Sequence, residues 1–325
     1  MTTNKLDGLS LWLRQGGDIK LTSGRLIDYC KNNAGTGTLT HKLMDGLTWQ
    51  GTFDNGESPV SMVGAKNVAK AWEEAGGQFI PVVVPRGLKG EAQAHGQLAR
   101  QFGYLLVDLE PYDGFWDKAP YNQIEWYTRE LRQEAPDAYL VLQADPRLAP
   151  WEQIDGYEQC KYFDALCNQH YVGWTSVGWT SWSQEVARFR EIQAEAVKAN
   201  PSIEMYATLY NADALIPALN FGQAIANECY GFNIFALASA SYMATPDRLE
   251  PFKRMNFQFK KRVGKPEPEP KPSVDWRAVS LANFRHLHQW AVRDAIAAAM
   301  RQEAVEREMT ELGFEIPVWS PDQLK

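Results

Sequence analysis

Eight short runs rich in β-branched and aromatic residues recur along the chain, each separated from the next by an amphipathic stretch, and no other feature constrains the fold as tightly. The runs extend from Leu9 to Leu13, Thr38 to Met44, Phe79 to Val84, Tyr104 to Leu109, Tyr139 to Ala144, Ala165 to Tyr171, Ile203 to Tyr210 and Phe232 to Ala238. Apolar residues at helical spacing mark the stretches between them: Leu98, Ala99 and Phe102; Val186, Phe189, Ile192 and Val197; Leu215, Ile216, Leu219, Ala224 and Ile225. Strands that alternate with helices pair in parallel through crossover connections. Eight strands, closed by a helix near Pro246 to Phe257, match an α/β fold of the (β/α)8 TIM-barrel type over residues 1–262. A doubly wound sheet, which usually has fewer strands, is the alternative. Gly76-Gly77 ends one helix before a strand, and Pro136 and Pro201 stop two others. Residues 172–182 read VGWTSVGWTSW, a five-residue unit repeated once in a tryptophan-rich loop.

The character changes after the barrel. Residues 263–274 contain KPEPEPKPS, an extended, semi-rigid spacer. Residues 275–325 are expected to form a helical tail with an apolar stripe through Leu281, Phe284, Leu287, Ala291, Ala295, Ile296 and Val305. Such a stripe needs a partner surface: the barrel itself, a docking partner, or other copies of the chain in a homo-oligomer.

Composition excludes several function classes. Hydrophobic residues make up 45% of the 325, enough for a sizeable core. The net charge of −7 and the lack of a basic run argue against nucleic acid as a partner, because a counterion-releasing surface must be positive. No apolar run is long enough for a membrane span, and MTTNKLDGLS lacks the pattern of a secretory signal. Synthesis in the cytoplasm is therefore expected, with association with a virion or release by lysis as the route to an external polymer. Cys30, Cys160, Cys167 and Cys229 are scattered, so free buried thiols in a reducing compartment are expected. His286 and His288 would face different directions on a helix, and no metal or other cofactor is expected.

In such barrels the active site lies at the carboxyl ends of the strands. The fourth run, YLLVDLEPYDGFW, ends in Asp108 and Glu110, which share a face about 7 Å apart along a strand. Burial and like charge favour the protonated form of one of them, as a general acid requires. Other strand ends add Asp45, Arg86, Gln143, Asp145, Gln169, Tyr171 and Tyr210 as candidate substrate-binding groups. Trp49, Tyr112, Trp116, Trp174, Trp179 and Trp182 crowd the same end, where indole faces could stack on sugar rings; Trp116 and Trp174 are the candidates among them for direct substrate contact.

Asp108-Leu109-Glu110 resembles the catalytic strand of chitinase-like glycoside hydrolases (family 18) and Chalaropsis-type lysozymes (family 25). HKLMDG and QHY on the second and sixth runs also look like the corresponding strands of sugar-cleaving barrels. The resemblance implies Glu110 as the acid that protonates the leaving oxygen. It implies Asp108 as a group that orients a substrate amide or stabilises oxocarbenium-like charge, and Tyr171 as a contact to the reacting sugar. Two departures stand out: the chitinase-like pattern places further acids before Asp108, where this chain has Leu106, and the lysozyme-type pattern expects an Asp on the first strand, which here reads LSLWLR.

Three readings follow. The first is a glycoside hydrolase cutting an N-acetylhexosamine polymer such as peptidoglycan, an activity that would suit a bacteriophage endolysin or virion-borne enzyme. The second is a non-catalytic carbohydrate-binding or structural protein, for example of a virion or its tail, on a glycosidase-like barrel. The third is different chemistry with Lys42 as a Schiff-base lysine, set against an ion pair between Lys42 and a mouth acid.

Overall fold

Each of the eight apolar runs is a strand in the computed structural model, which describes residues 4–13, 23–51, 58–172, 181–210, 215–235 and 245–262. In chain order the strands are β1 (Gly8–Leu13), β2 (Thr38–Asp45), β3 (Thr48–Trp49), β4 (Gln78–Val84), β5 (Tyr104–Asp108), β6 (Tyr139–Gln143), β7 (Ala165–His170), β8 (Glu204–Tyr210) and β9 (Gly231–Phe235). Eight of them pair in parallel in the order β1-β9-β8-β7-β6-β5-β4-β2, and β1 pairs with β2 to close the barrel. The short β3 is a two-residue antiparallel addition to β2, Met44 opposite Trp49. The helices are α1 (Ser23–Ala34), α2 (Met62–Glu74), α3 (Glu91–Phe102), α4 (Ile124–Glu134), α5 (Leu148–Gln153), α6 (Gly156–Gln159), α7 (Trp182–Ala199), α8 (Leu215–Ile225) and α9 (Pro246–Arg254). The (β/α)8 TIM barrel is thus the observed fold, and the expected spacer and tail helix lie outside the described residues.

Alternation along each strand divides the core in two. Residues such as Leu105, Val107, Leu140 and Leu142 point outward and pack with Trp72, Phe189 and Phe221 from the helices. Ile80, Val82, Tyr104, Leu106, Val141, Ala165, Cys167 and Tyr206 point inward and fill the barrel. Full burial of one such large apolar side chain contributes about 2–3 kcal/mol. All four cysteines are free and buried in this packing.

Helix ends follow local chemistry. Ser61 caps α2 by accepting from the Gly64 amide, Ser181 and Gln184 form a capping box at α7, and Pro246 opens α9. Two helix faces differ from expectation. On α7, Ala196 continues the buried stripe of Val186, Phe189 and Ile192, whereas Val197 sits at its edge and is exposed. On α8 the buried face is Ala218, Phe221, Gly222 and Ile225, which turns Ile216 to the opposite side and leaves it exposed.

The amino-terminal mouth is sealed. Arg262, beyond α9, reaches under the barrel and donates to Asp7 (2.7 and 3.0 Å), to Glu204 (2.6 and 2.7 Å) and to the Tyr206 hydroxyl (2.9 Å). Its guanidinium lies 4.6 Å from the centre of the Tyr230 ring. The other mouth carries the chemistry.

Candidate active site at the carboxyl mouth

Parallel register sets the site. Asp108 at the end of β5 is paired with Gln143 at the end of β6, and Gln169 on β7 is paired with Thr208 on β8. Paired residues in a parallel ladder point to the same side, and here that side is the barrel interior. Asp108, Glu110, Gln143, Asp145 and Gln169 are all buried there.

The two acids meet across one amide. Gln169 Nε2 donates to Asp108 Oδ1 at 2.7 Å and also donates to Glu110 Oε1. Two carboxylates bonded to one nitrogen stand closer than the two-residue rise of a strand, so their side chains converge. Burial pushes both carboxyls up. Asp108 rises to about 7, with its hydrogen bond to Glu110, the Lys42 charge and the Gln169 bond acting against burial. Glu110 rises well above the carboxylate range, first by burial and then by the charges of Asp108 and Asp145. Burial and the neighbouring charges thus favour the protonated, proton-donating form of Glu110.

A third acid, Asp145, is bound by its own partners. Arg147 donates to it from Nε (2.9 and 3.1 Å) and from NH2 (2.5 Å), and the Tyr112 hydroxyl donates to its Oδ2. Arg147 NH2 also donates to Tyr112 at 2.8 Å, which locks the three together. On the opposite side Asp45 pairs with Lys42 at 3.1 Å and with Arg86 at 3.4 Å, and Arg86 also pairs with Asp117 at 3.4 Å. Lys42 is therefore an ion-pair partner of a mouth acid, the arrangement set against the Schiff-base reading.

Arg86 is carried by a braced loop. The Glu91 carboxylate accepts from the Arg86, Gly87 and Leu88 amides at 2.9–3.1 Å. Buried His95 bridges the Gly46 carbonyl (2.9 Å) and the Tyr127 hydroxyl (2.7 Å), and burial lowers its pKa to about 4, so it is neutral. Neither Glu91 nor His95 stood out in the sequence, since the loop contacts they make join residues on separate elements.

Aromatic rings wall the other flank. Tyr171 packs against Tyr210 and Phe235 at centroid distances of 5.4 and 5.1 Å, and Phe235 meets Trp12 at 5.9 Å. Burial raises the Tyr171 hydroxyl well above its ordinary pKa, and the charges of Glu110 and Asp108 add to the rise. Gln143 is fully buried, and neither its Oε1 nor its Nε2 has a partner among the described residues. A buried amide without partners is costly in a finished fold and is suited to a polar ligand.

One candidate sits deeper than the others. Trp116 is 2% exposed, its ring 5.5 Å from Tyr127 and its Nε1–H donating to the Pro120 carbonyl at 3.3 Å. It packs beneath the loop and offers no free face in the mouth, because burial in the rim satisfies both its ring and its N–H. Trp174 and Trp179 lie outside the described residues. Trp182 opens α7 and is exposed, and Trp49 lies on β3 against the outer core. Arg147 was missed, although its place two residues after Asp145 is a readable turn signal: its amide also donates to Asp145 Oδ1 at 2.9 Å. Among the described residues no group of His, Cys, Asp and Glu forms a metal-binding cluster, and no helix is long and apolar enough to cross a membrane.

No protein-family model and no curated protein sequence matches this chain. Solved structures do. A modular endo-β-1,4-mannanase of glycoside hydrolase family 26 from Cellulomonas fimi superposes with a TM-score of 0.52 at 10% identity, covering 77% of this chain and 71% of its own. A β-1,4-mannanase of family GH113 gives 0.47 at 10% identity over 76% and 97%. A xylanase-α-amylase inhibitor protein in complex with trehalose gives 0.46 at 9% identity over 75% and 97%. At such identities the likeness is one of fold. The finer resemblance to families 18 and 25 rests on the strand motifs alone.

Proposed function

We propose that this barrel hydrolyses a polysaccharide containing N-acetylhexosamine, peptidoglycan or chitin-like in chemistry, with Glu110 as the general acid. One observation carries the reading: two buried carboxyls at the carboxyl mouth, bridged by Gln169 Nε2 and both pushed toward the protonated form by burial. Glu110 would donate its proton to the glycosidic oxygen as the bond to the anomeric carbon breaks. Asp108, as its proton leaves, would orient the substrate's acetamido group or offset the positive charge developing on the sugar. Tyr171 lies beside both acids, and the unpartnered Gln143 amide has one donor and one acceptor end to match an acetamido or hydroxyl group.

The test is release of reducing ends from peptidoglycan and from chitin oligomers by the purified protein beside Glu110→Gln. The expected result is release by the wild type and a loss of about a hundredfold or more in the variant. Release that survives Glu110→Gln would remove Glu110 from its role.

A second reading also has support. Leu106, fully buried two residues before Asp108 on the same inward face, stands where the chitinase-like pattern has another acid. An incomplete acid set favours a barrel that binds sugar without cutting it. Polymer binding by both proteins with release by neither would select that reading.

A further inference from the structure

A second concavity lies beside the mouth, a pocket of about 390 Å³ between the loops that leave β4 and β5 and the first turn of α4. Its walls are continuous with the candidate site. The chain from Glu110 reaches it through Trp116, whose amide donates to the Glu110 carbonyl at 3.0 Å, and Lys118 N–H donates to the Arg86 carbonyl at 2.8 Å. Trp126 stands at the start of α4 with 47% of its surface exposed. Lys89 is exposed with no ion-pair partner among the described residues, and Lys118 is tied only to Asp117, at 2.9 Å. The described lining contains these two ammonium groups, Gln123 as a neutral hydrogen-bonding group, and no carboxylate. That is unusual for a protein of net charge −7, and a pocket near Trp151, by contrast, is lined by Glu152, Asp155 and Glu195 beside the single cation Lys198.

We infer that this pocket is a subsite for a sugar unit bearing a carboxylate, which makes the polymer an acidic one. The inference rests on the polysaccharide reading above and narrows its substrate class. The exposed indole of Trp126 supplies a flat apolar face for the C–H side of a pyranose. Lys89 and Lys118 also line the pocket, where they can meet an anion, and Gln123 can meet a hydroxyl. The cations of the mouth, Lys42, Arg86 and Arg147, are each paired with an acid there, whereas Lys89 is not, so the two sites divide the polymer: neutral acetamido sugar over Asp108 and Glu110, acidic sugar over the rim.

The test uses N-acetylmuramic acid and N-acetylglucosamine, which share a ring and differ by a lactyl carboxylate, titrated against the full-length protein by ligand-observed NMR. The wild type should bind the acidic sugar roughly tenfold more tightly, as two exposed charge pairs allow, and added salt should erode the preference. The double variant Lys89→Ala/Lys118→Ala should bind both sugars equally, and Trp126→Ala should weaken both together. Equal binding by the wild type, binding of neither sugar, or a preference that survives the double variant overturns the subsite. Reducing-end release assayed in parallel keeps the two ideas apart. Charge-selective binding without release supports the subsite and counts against cleavage, whereas release without charge preference overturns the subsite alone.

Discussion

A carboxyl that keeps its proton to about pH 7 is held by the native state against its ordinary chemistry, and Asp108 is such a group. The unfolded chain releases that proton near pH 4. The stability Asp108 contributes is therefore fully present below about pH 4 and is lost as the pH rises through 7, since the native state binds the extra proton over that window. Asp108→Asn removes the loss. The variant should match the wild type in thermal midpoint near pH 4 and exceed it at pH 8, by about 1–3 kcal/mol in unfolding free energy. A wild type whose midpoint does not fall between these pH values relative to the variant would contradict the buried, protonated state. Asp145 has other neighbours, with Arg147 and Tyr112 donating to its carboxylate. Three acids on neighbouring strand ends thus have separate roles, set by which neighbour each one meets.

At the scale of elements, the loop after β4 matters most, because it places Arg86 and one wall of the rim pocket. Gly87 has φ of +83°, and a Cβ there would come within 2.7 Å of the Ala119 Cβ. Gly87→Ala is expected to cost about 1–3 kcal/mol and to weaken sugar binding together with stability. Unchanged denaturation with unchanged binding would show that the loop tolerates displacement. The strands were legible in the sequence because β-branched runs of five to eight residues bounded by Gly and Pro leave few other assignments. What escaped was short or shared between elements. β3 has two residues and α6 four, below the length at which periodicity can be read. Asp108 and Glu110 were legible as a pair from their spacing, but Gln169 joins them from 61 and 59 residues away. Only the closed barrel brings that amide between them. The depth of Trp116 was not legible, since an aromatic near a strand end gives no sign of whether it faces the mouth or the packing beneath.

For the whole molecule, closure at the amino-terminal end defines where the barrel stops. Arg262 joins Asp7 near the start of the chain to Glu204 on β8, and both acids would be left without their cation if it were removed. The barrel as far as Arg262 carries its own closing contacts, so deletion of residues 265–325 should leave a folded, cooperative monomer. Deletion from residue 260 onward removes Arg262 and should lower stability by about 3 kcal/mol or more. Thermal melts of the two truncations decide this: an insoluble or non-cooperative 1–264 fragment would mean that the tail belongs to the barrel's core. The fold itself does not establish activity, because one barrel architecture serves many chemistries. What distinguishes this barrel is its mouth, where acids, amides and aromatic rings from six strand ends meet.

The central claim is that the Asp108–Glu110 pair keeps a proton at neutral pH, and carboxyl titration tests it without any substrate. Protein carrying carbon-13 in its Asp and Glu carboxyls would be followed by NMR from pH 3 to 9, with Asp108→Asn and Glu110→Gln to assign the two signals. One carboxyl should titrate near pH 7 and the other should hold its proton to higher pH, with loss of Asp108 drawing Glu110 downward and loss of the Glu110 hydrogen bond leaving Asp108 raised by burial. If both signals titrate fully by pH 5, the pair is two ordinary solvated acids, and the barrel has no general acid at this mouth.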